Sequence, residues 1–149
     1  MSLALEAARA RPDEVPVGAI VVLDDQEIAR AGNEREQSSD PTAHAEMLAL
    51  RAAAARLQRW NLSDCTIYVT LEPCPMCMGA ILLARIPRLV FGCRNLKLGA
   101  AGTLLGLHDF PGSSLRCRVE QGVLQTECAR LLESFFQQRR LYGEVAEPG

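Results

Sequence analysis

The sequence predicts a three-layer α/β/α sandwich built on a mixed sheet of about five strands. Three observations carry this reading. Short apolar, β-branched runs alternate with longer stretches rich in Ala, Leu, Met and Arg, the pattern of strands alternating with helices. The chain has 149 residues, the size of one compact domain spanning 1–149. No apolar run approaches the length of a membrane span, although 48% of the residues are hydrophobic, so no membrane partner is expected.

The elements follow in order. Leu3 to Arg11 reads as a short helix closed by Pro12. Val17 to Leu23 is continuously apolar and β-branched, as a buried strand requires. Asp24-Asp25 is turn chemistry, and Glu27 to Ala31 returns as the neighbouring strand. Gly32 to Pro41 is polar and reads as a loop. Ala43 to Leu57 is made of good helix formers, with Thr42 placed as its N-cap. Thr66 to Leu71 is a strong strand signal. Pro75 to Ala84 reads as a helix whose first position is the one that suits proline. Arg88 to Gly92 is a third core strand. Cys93 to Ser114 is Gly-rich and irregular, with a helical turn expected near Leu104. Val119 to Leu124 reads as a short strand and Glu127 to Tyr142 as an amphipathic helix.

The net charge of −2 argues against a generic nucleic-acid binder, but the charge is unevenly placed. Over residues 1–74, 12 acidic residues stand against 7 basic ones; over residues 75–140, 4 stand against 9. A basic face would therefore come from the second half. The tail beyond Arg140 is acidic and offers nothing to a polyanion. The N-terminus has no basic segment ahead of an apolar run, so a cytoplasmic setting with six reduced cysteines is expected.

The chemistry concentrates in two stretches. Thr42-Ala43-His44-Ala45-Glu46 opens one helix, and Glu72-Pro73-Cys74-Pro75-Met76-Cys77 opens another. A lone C-x-x-C pair is also compatible with a redox dithiol or with half of a structural zinc site. Joined to His44, however, Cys74 and Cys77 make the three-ligand set of a catalytic zinc that keeps a fourth position for water. Each ligand falls at the start of a helix, where backbone N–H groups stabilise thiolates. Two thiolates and a neutral imidazole leave Zn²⁺ formally neutral, which acidifies bound water less than an all-histidine site does. A nearby carboxylate must then carry the proton, and Glu46 is the candidate; taken alone, it would only support the helix dipole.

His44-x-Glu46 followed by Pro73-Cys74-x-x-Cys77 resembles the zinc-dependent nucleobase deaminases. Glu14 to Ala19, Asp40 to Glu46, Tyr68 to Cys74, Gly99 to Thr103 and Phe135-Phe136 resemble the bacterial tRNA-specific adenosine deaminases over nearly the whole chain. That resemblance implies the cytidine-deaminase-like fold, one zinc per chain, a homodimer, and hydrolytic conversion of adenosine to inosine at the wobble position of a tRNA anticodon stem-loop. It implies that His44, Cys74 and Cys77 bind zinc, and that Glu46 shuttles protons for a zinc-bound hydroxide that attacks C6 of adenine. It also implies that Asn33 contacts the target nucleotide, that the backbone of Ala45 and Pro73 lines the pocket, and that Arg94, Asn95, Lys97, Arg139 and Arg140 meet the RNA. Arg85 and Arg88 are expected on the same basic rim. A deaminase of free guanine or cytosine is the alternative on this scaffold. Cys65, Cys93, Cys117 and Cys128 are expected to be inert packing residues, and His108 a loop residue rather than a ligand.

Overall fold

The computed structural model describes residues 1–143; the acidic tail noted above lies almost wholly outside them. Its centre is a five-stranded sheet in the order β2-β1-β3-β4-β5, made of β1 (Gly18–Leu23), β2 (Gln26–Gly32), β3 (Thr66–Leu71), β4 (Arg88–Cys93) and β5 (Arg118–Gln121). β1 runs antiparallel to β2 and β3, whereas β3, β4 and β5 are mutually parallel, so the sheet is mixed. The β1–β2 connection is a two-residue hairpin in which Asp24 and Asp25 take φ of 50° and 60°. Aspartate tolerates this left-handed backbone, and two such residues give the turn twist that suits a hairpin.

Strand alternation divides the core. Ala19, Val21, Ile67, Val69, Leu89 and Phe91 share one face with Ala49, Leu50, Ala53, Met78 and Ile81 from α3 (Ala45–Leu57) and α4 (Pro75–Leu83). Ile20 points to the other face, where α1 (Ser2–Arg9) lays down Ala4 and Ala7. α5 (Gln125–Leu141) joins α1 there through Cys128, packed with Leu5 and Cys93. Two glycines allow this side to close. A Cβ on Gly18 would sit 1.9 Å from the Ala4 carbonyl oxygen, and one on Gly92 would sit 2.4 Å from the Cys128 sulfur. The result is the three-layer arrangement expected from the sequence.

Several boundaries differ from expectation. The polar segment after β2 contains a one-turn helix, α2 (Arg35–Ser38), because Ser38 and Asp40 N–H groups fold back onto Glu34 and Arg35 carbonyls. α3 starts at Ala45 rather than Ala43, and Thr42 is not its cap. The Thr42 hydroxyl and N–H both donate to Asp40 Oδ1, which spends that side chain on the preceding turn. The helical turn expected near Leu104 is a 3-10 turn at Leu107–Asp109. β5 stops at Gln121 because Gly122, with φ of 88°, folds its N–H back onto the carbonyls of Phe91 and Gly92.

Candidate active site

Both candidate ligand helices are built the same way. His44 occupies the cap position of α3 with extended backbone (φ −72°, ψ 149°), and Cys74 does the same for α4 (φ −72°, ψ 172°). Neither uses its side chain to cap the helix. At α3 the cap comes from another segment: the Ala45 N–H donates to Asn33 Oδ1 at 2.8 Å. At α4, Pro75 has no N–H to satisfy. The imidazole and the thiol are thereby left for other work.

Cys74 lies just beyond the C-terminal end of β3, and Asn95 just beyond that of β4, the end of a parallel pair where open α/β sheets place their sites. The candidate ligand atoms of His44, Cys74 and Cys77 all lie within 4.8 Å of one another. His44 Nδ1 is 3.6 Å from Cys74 Sγ and 3.4 Å from Cys77 Sγ. Bonds of about 2.3 Å to sulfur and about 2.05 Å to nitrogen, meeting at a tetrahedral angle, give N···S edges of about 3.6 Å. The three side chains therefore fit one zinc ion, and a redox dithiol would leave His44 between the thiols without a role. The Cys74 thiol is pushed down to about 4, first by the hydrogen bond from Cys77 and then by that from His44. Cys77, which holds the shared proton, is raised by the same contact and by burial. The bond to Cys74 raises His44.

Glu46 is only 4% exposed and sits beside the Cys77 thiol, with which it shares a hydrogen bond. Burial pushes its carboxyl up, toward the range where a carboxylate can both take and return a proton. Within a helix, residues two apart point to nearly opposite sides, but His44 and Glu46 straddle the helix start. His44 stands outside the first turn and Glu46 inside it, and both reach the same small pocket, lined also by Val17, Asn33, Cys74 and Asn95.

A family model for the cytidine and deoxycytidylate deaminase zinc-binding region matches residues 1–93. The chain belongs to the cytidine and deoxycytidylate deaminase family. Among members of known name, the Bacillus subtilis tRNA-specific adenosine deaminase is 45% identical over 127 residues, covering 85% of this chain and 79% of its own. A solved structure from work on A-to-I editing by tRNA:A34 deaminases at the wobble position of transfer RNA is 42% identical with a TM-score of 0.85, covering 89% of this chain and 97% of that one. The guanine deaminase of Nitrosomonas europaea is more distant, at 26% identity and a TM-score of 0.74 over 90% of this chain and 81% of its own. The zinc of this deaminase family has its fit here in His44, Cys74 and Cys77.

The other expected residues are placed unevenly. Asn33 is buried at the pocket, with its amide nitrogen donating to the Val15 carbonyl and its oxygen held by Ala45, so one amide hydrogen remains for a ligand. Ala45 and Pro73 are buried beside the ligands, and Pro73 accepts the Ala100 N–H. Arg94 and Lys97 are exposed on the loop after β4. Arg140 is exposed on α5, while Arg139 lies over the Phe135 ring and donates to the Asp13 carbonyl. Arg85 and Arg88 do not join them. They lie at the opposite end of β4, where Arg88 grips both carboxylate oxygens of Glu120 through Nε and Nη2 and Arg85 covers Trp60. Cys65, Cys93, Cys117 and Cys128 are buried, and burial pushes each thiol up to about 11. His108 is in the 3-10 turn, outside the ligand cluster. Glu72 was not singled out from the sequence, although it is buried at the base of the site. Its only local signal was its place ahead of Pro73-Cys74.

Proposed function

We propose that this chain hydrolyses adenosine to inosine and ammonia at the wobble position of a tRNA anticodon. The observation that carries the reading is Glu46 buried beside a three-ligand His44–Cys74–Cys77 centre, in a chain whose 42–45% identical relatives are tRNA adenosine deaminases. Zinc bound by these three side chains supplies the acidity that turns water into a nucleophile at neutral pH. Glu46 takes one proton from that water and delivers it to the ring nitrogen of adenine as the water oxygen bonds to C6. It then carries the second proton, from the new C6 hydroxyl, to the exocyclic amine, the C6–N bond breaks, and ammonia leaves inosine behind. Asn33 holds the base edge with its remaining amide hydrogen, and the backbone at Ala45 and Pro73 shapes the walls. Because the carboxylate and the imidazole enter from the same helix start, Glu46 reaches the pocket beside the ligands while itself buried from bulk solvent.

The expected result with an anticodon stem-loop carrying adenosine at the wobble position is stoichiometric inosine, read by mass spectrometry of the digested RNA. Turnover of free guanine or cytosine in place of the stem-loop would install the free-base reading instead. Arg94, Asn95, Lys97, Arg139 and Arg140 form the RNA-facing rim. Replacing Arg94 and Lys97 together by Ala is expected to weaken stem-loop binding and to lower the slope of log affinity against log salt by about 1 to 2. Affinity unchanged across a salt series would remove these two residues from the interface.

The chain acts as one deaminase domain in the cytoplasm and pairs with a second copy. Support for pairing comes from an apolar surface on α3 and α4 where Met47, Leu50 and Ala80 meet exposed Trp60 and Leu83. Among the described residues no helix is long and apolar enough to cross a membrane.

A further inference from the structure

We infer that Glu72 is a positioning residue that sets the RNA-facing loop against the metal centre. The carboxylate is 1% exposed, and among the described residues no ion pair reaches it. Its Oε1 accepts the N–H groups of Ala101 at 3.1 Å and Thr103 at 3.0 Å. Its Oε2 accepts the N–H of Asn95 at 3.1 Å and the Thr103 hydroxyl at 2.5 Å. Four donors from one loop therefore converge on one buried anion, which satisfies its charge without a cation. Gly99 makes the wrap possible, since a Cβ there would lie 2.4 Å from Oε2. Pro73 adds a fifth bond to the same loop by accepting the Ala100 N–H at 2.9 Å.

The consequence is a fixed distance between two parts of the site. Glu72 stands two residues before Cys74, just past the end of β3, and its own N–H is bonded to the Cys93 carbonyl. The loop it holds presents Asn95 to the pocket of Glu46 and His44. On its other side the same loop lines a second cavity with Arg94, Thr103, His108 and Gln121. Asn95 is ordered in turn, because its Oδ1 accepts the N–H groups of Lys97 and Leu98. Glu72 thus acts through the loop: both of its oxygens are taken up by loop donors, and it decides where Arg94, Asn95 and Lys97 stand relative to the zinc ligands. Glutamine cannot replace it, because an amide NH₂ would face two of the four donors.

This inference rests on the wobble-adenosine reading, and the test separates the two. Wild-type turnover of the stem-loop tests the reading alone; hydrogen exchange of the 95–103 amides in the variants tests the clasp alone. In Glu72→Gln we expect faster exchange across that segment, one zinc per chain retained, and stem-loop affinity weakened roughly 10- to 100-fold, with KM rising in step and kcat changing far less. Thr103→Val removes a single donor and is expected to move exchange and KM in the same direction by about 3- to 10-fold, with Thr103→Ser restoring both. If Glu72→Gln does not fold, the Thr103 pair decides by itself. Unchanged exchange and KM in Thr103→Val, or zinc loss and a fall in kcat at constant KM in Glu72→Gln, would overturn the assignment.

Discussion

Glu46→Gln is expected to bind one zinc per chain and to lose inosine formation by a factor of about 10² to 10⁴, the range that a positioned acid–base group contributes. The argument is one of shape against chemistry. Glutamine fills the same buried space in the first turn of α3 and keeps the hydrogen-bonding reach toward Cys77. It cannot accept a proton and return it. Because Glu46 lies beside the ligands rather than among the three that fit the metal, the variant should match wild type in zinc content and in stem-loop binding. Single-turnover conversion of the stem-loop, with zinc measured on the same samples, checks this. A Gln variant that turns over at the wild-type rate would take Glu46 out of the reaction.

Removing zinc is expected to have the larger effect on the folded state. A ligand that binds only the native chain stabilises it by about 4 kcal/mol when free zinc is a thousandfold above its Kd. Chelation should therefore lower the melting temperature by several degrees and abolish turnover together. It should also change the thiol count in one specific way. With metal bound, Cys74 and Cys77 are occupied; once it leaves, Cys74 is a thiolate at neutral pH, since its pKa lies near 4. The remaining four thiols, raised to about 11 by burial, are ionised in about one molecule in a thousand at pH 8. Brief alkylation after chelation should thus label Cys74 first and spare Cys77, which keeps the shared proton, together with Cys65, Cys93, Cys117 and Cys128. Cys74→Ala should mimic chelation without a chelator. Melting that ignores both treatments, or labelling spread evenly over six cysteines, would contradict the zinc centre.

The comparison between sequence and structure is clearest at α3. The composition of 43–57 announces a helix, yet the start is displaced because Asn33, a dozen residues earlier, supplies the cap that Thr42 was expected to supply. Local rules identify residues able to cap; they do not see a competing side chain arriving from another strand end. The same reason explains Arg88. Its charge was legible, but its partner Glu120 sits on a strand 32 residues away, and register across β4 and β5 alone brings them together.

The sequence by itself determined the alternation of strands and helices, the mixed sheet, and which residues stand as the candidate zinc ligands and the candidate proton carrier. These rest on period, propensity and residue chemistry, all of which are local. Only the tertiary structure decided that His44 stands at the cap position of a helix with its ring turned to two thiols, that Arg85 and Arg88 lie at the opposite end of β4 from Arg94, and that Glu72 gathers four donors from a loop 23 to 31 residues away. Burial turns a glutamate into a clasp, and burial is a property of the assembled chain: the donors that satisfy Glu72 are mostly backbone N–H groups, which every residue but proline carries and which no sequence pattern distinguishes.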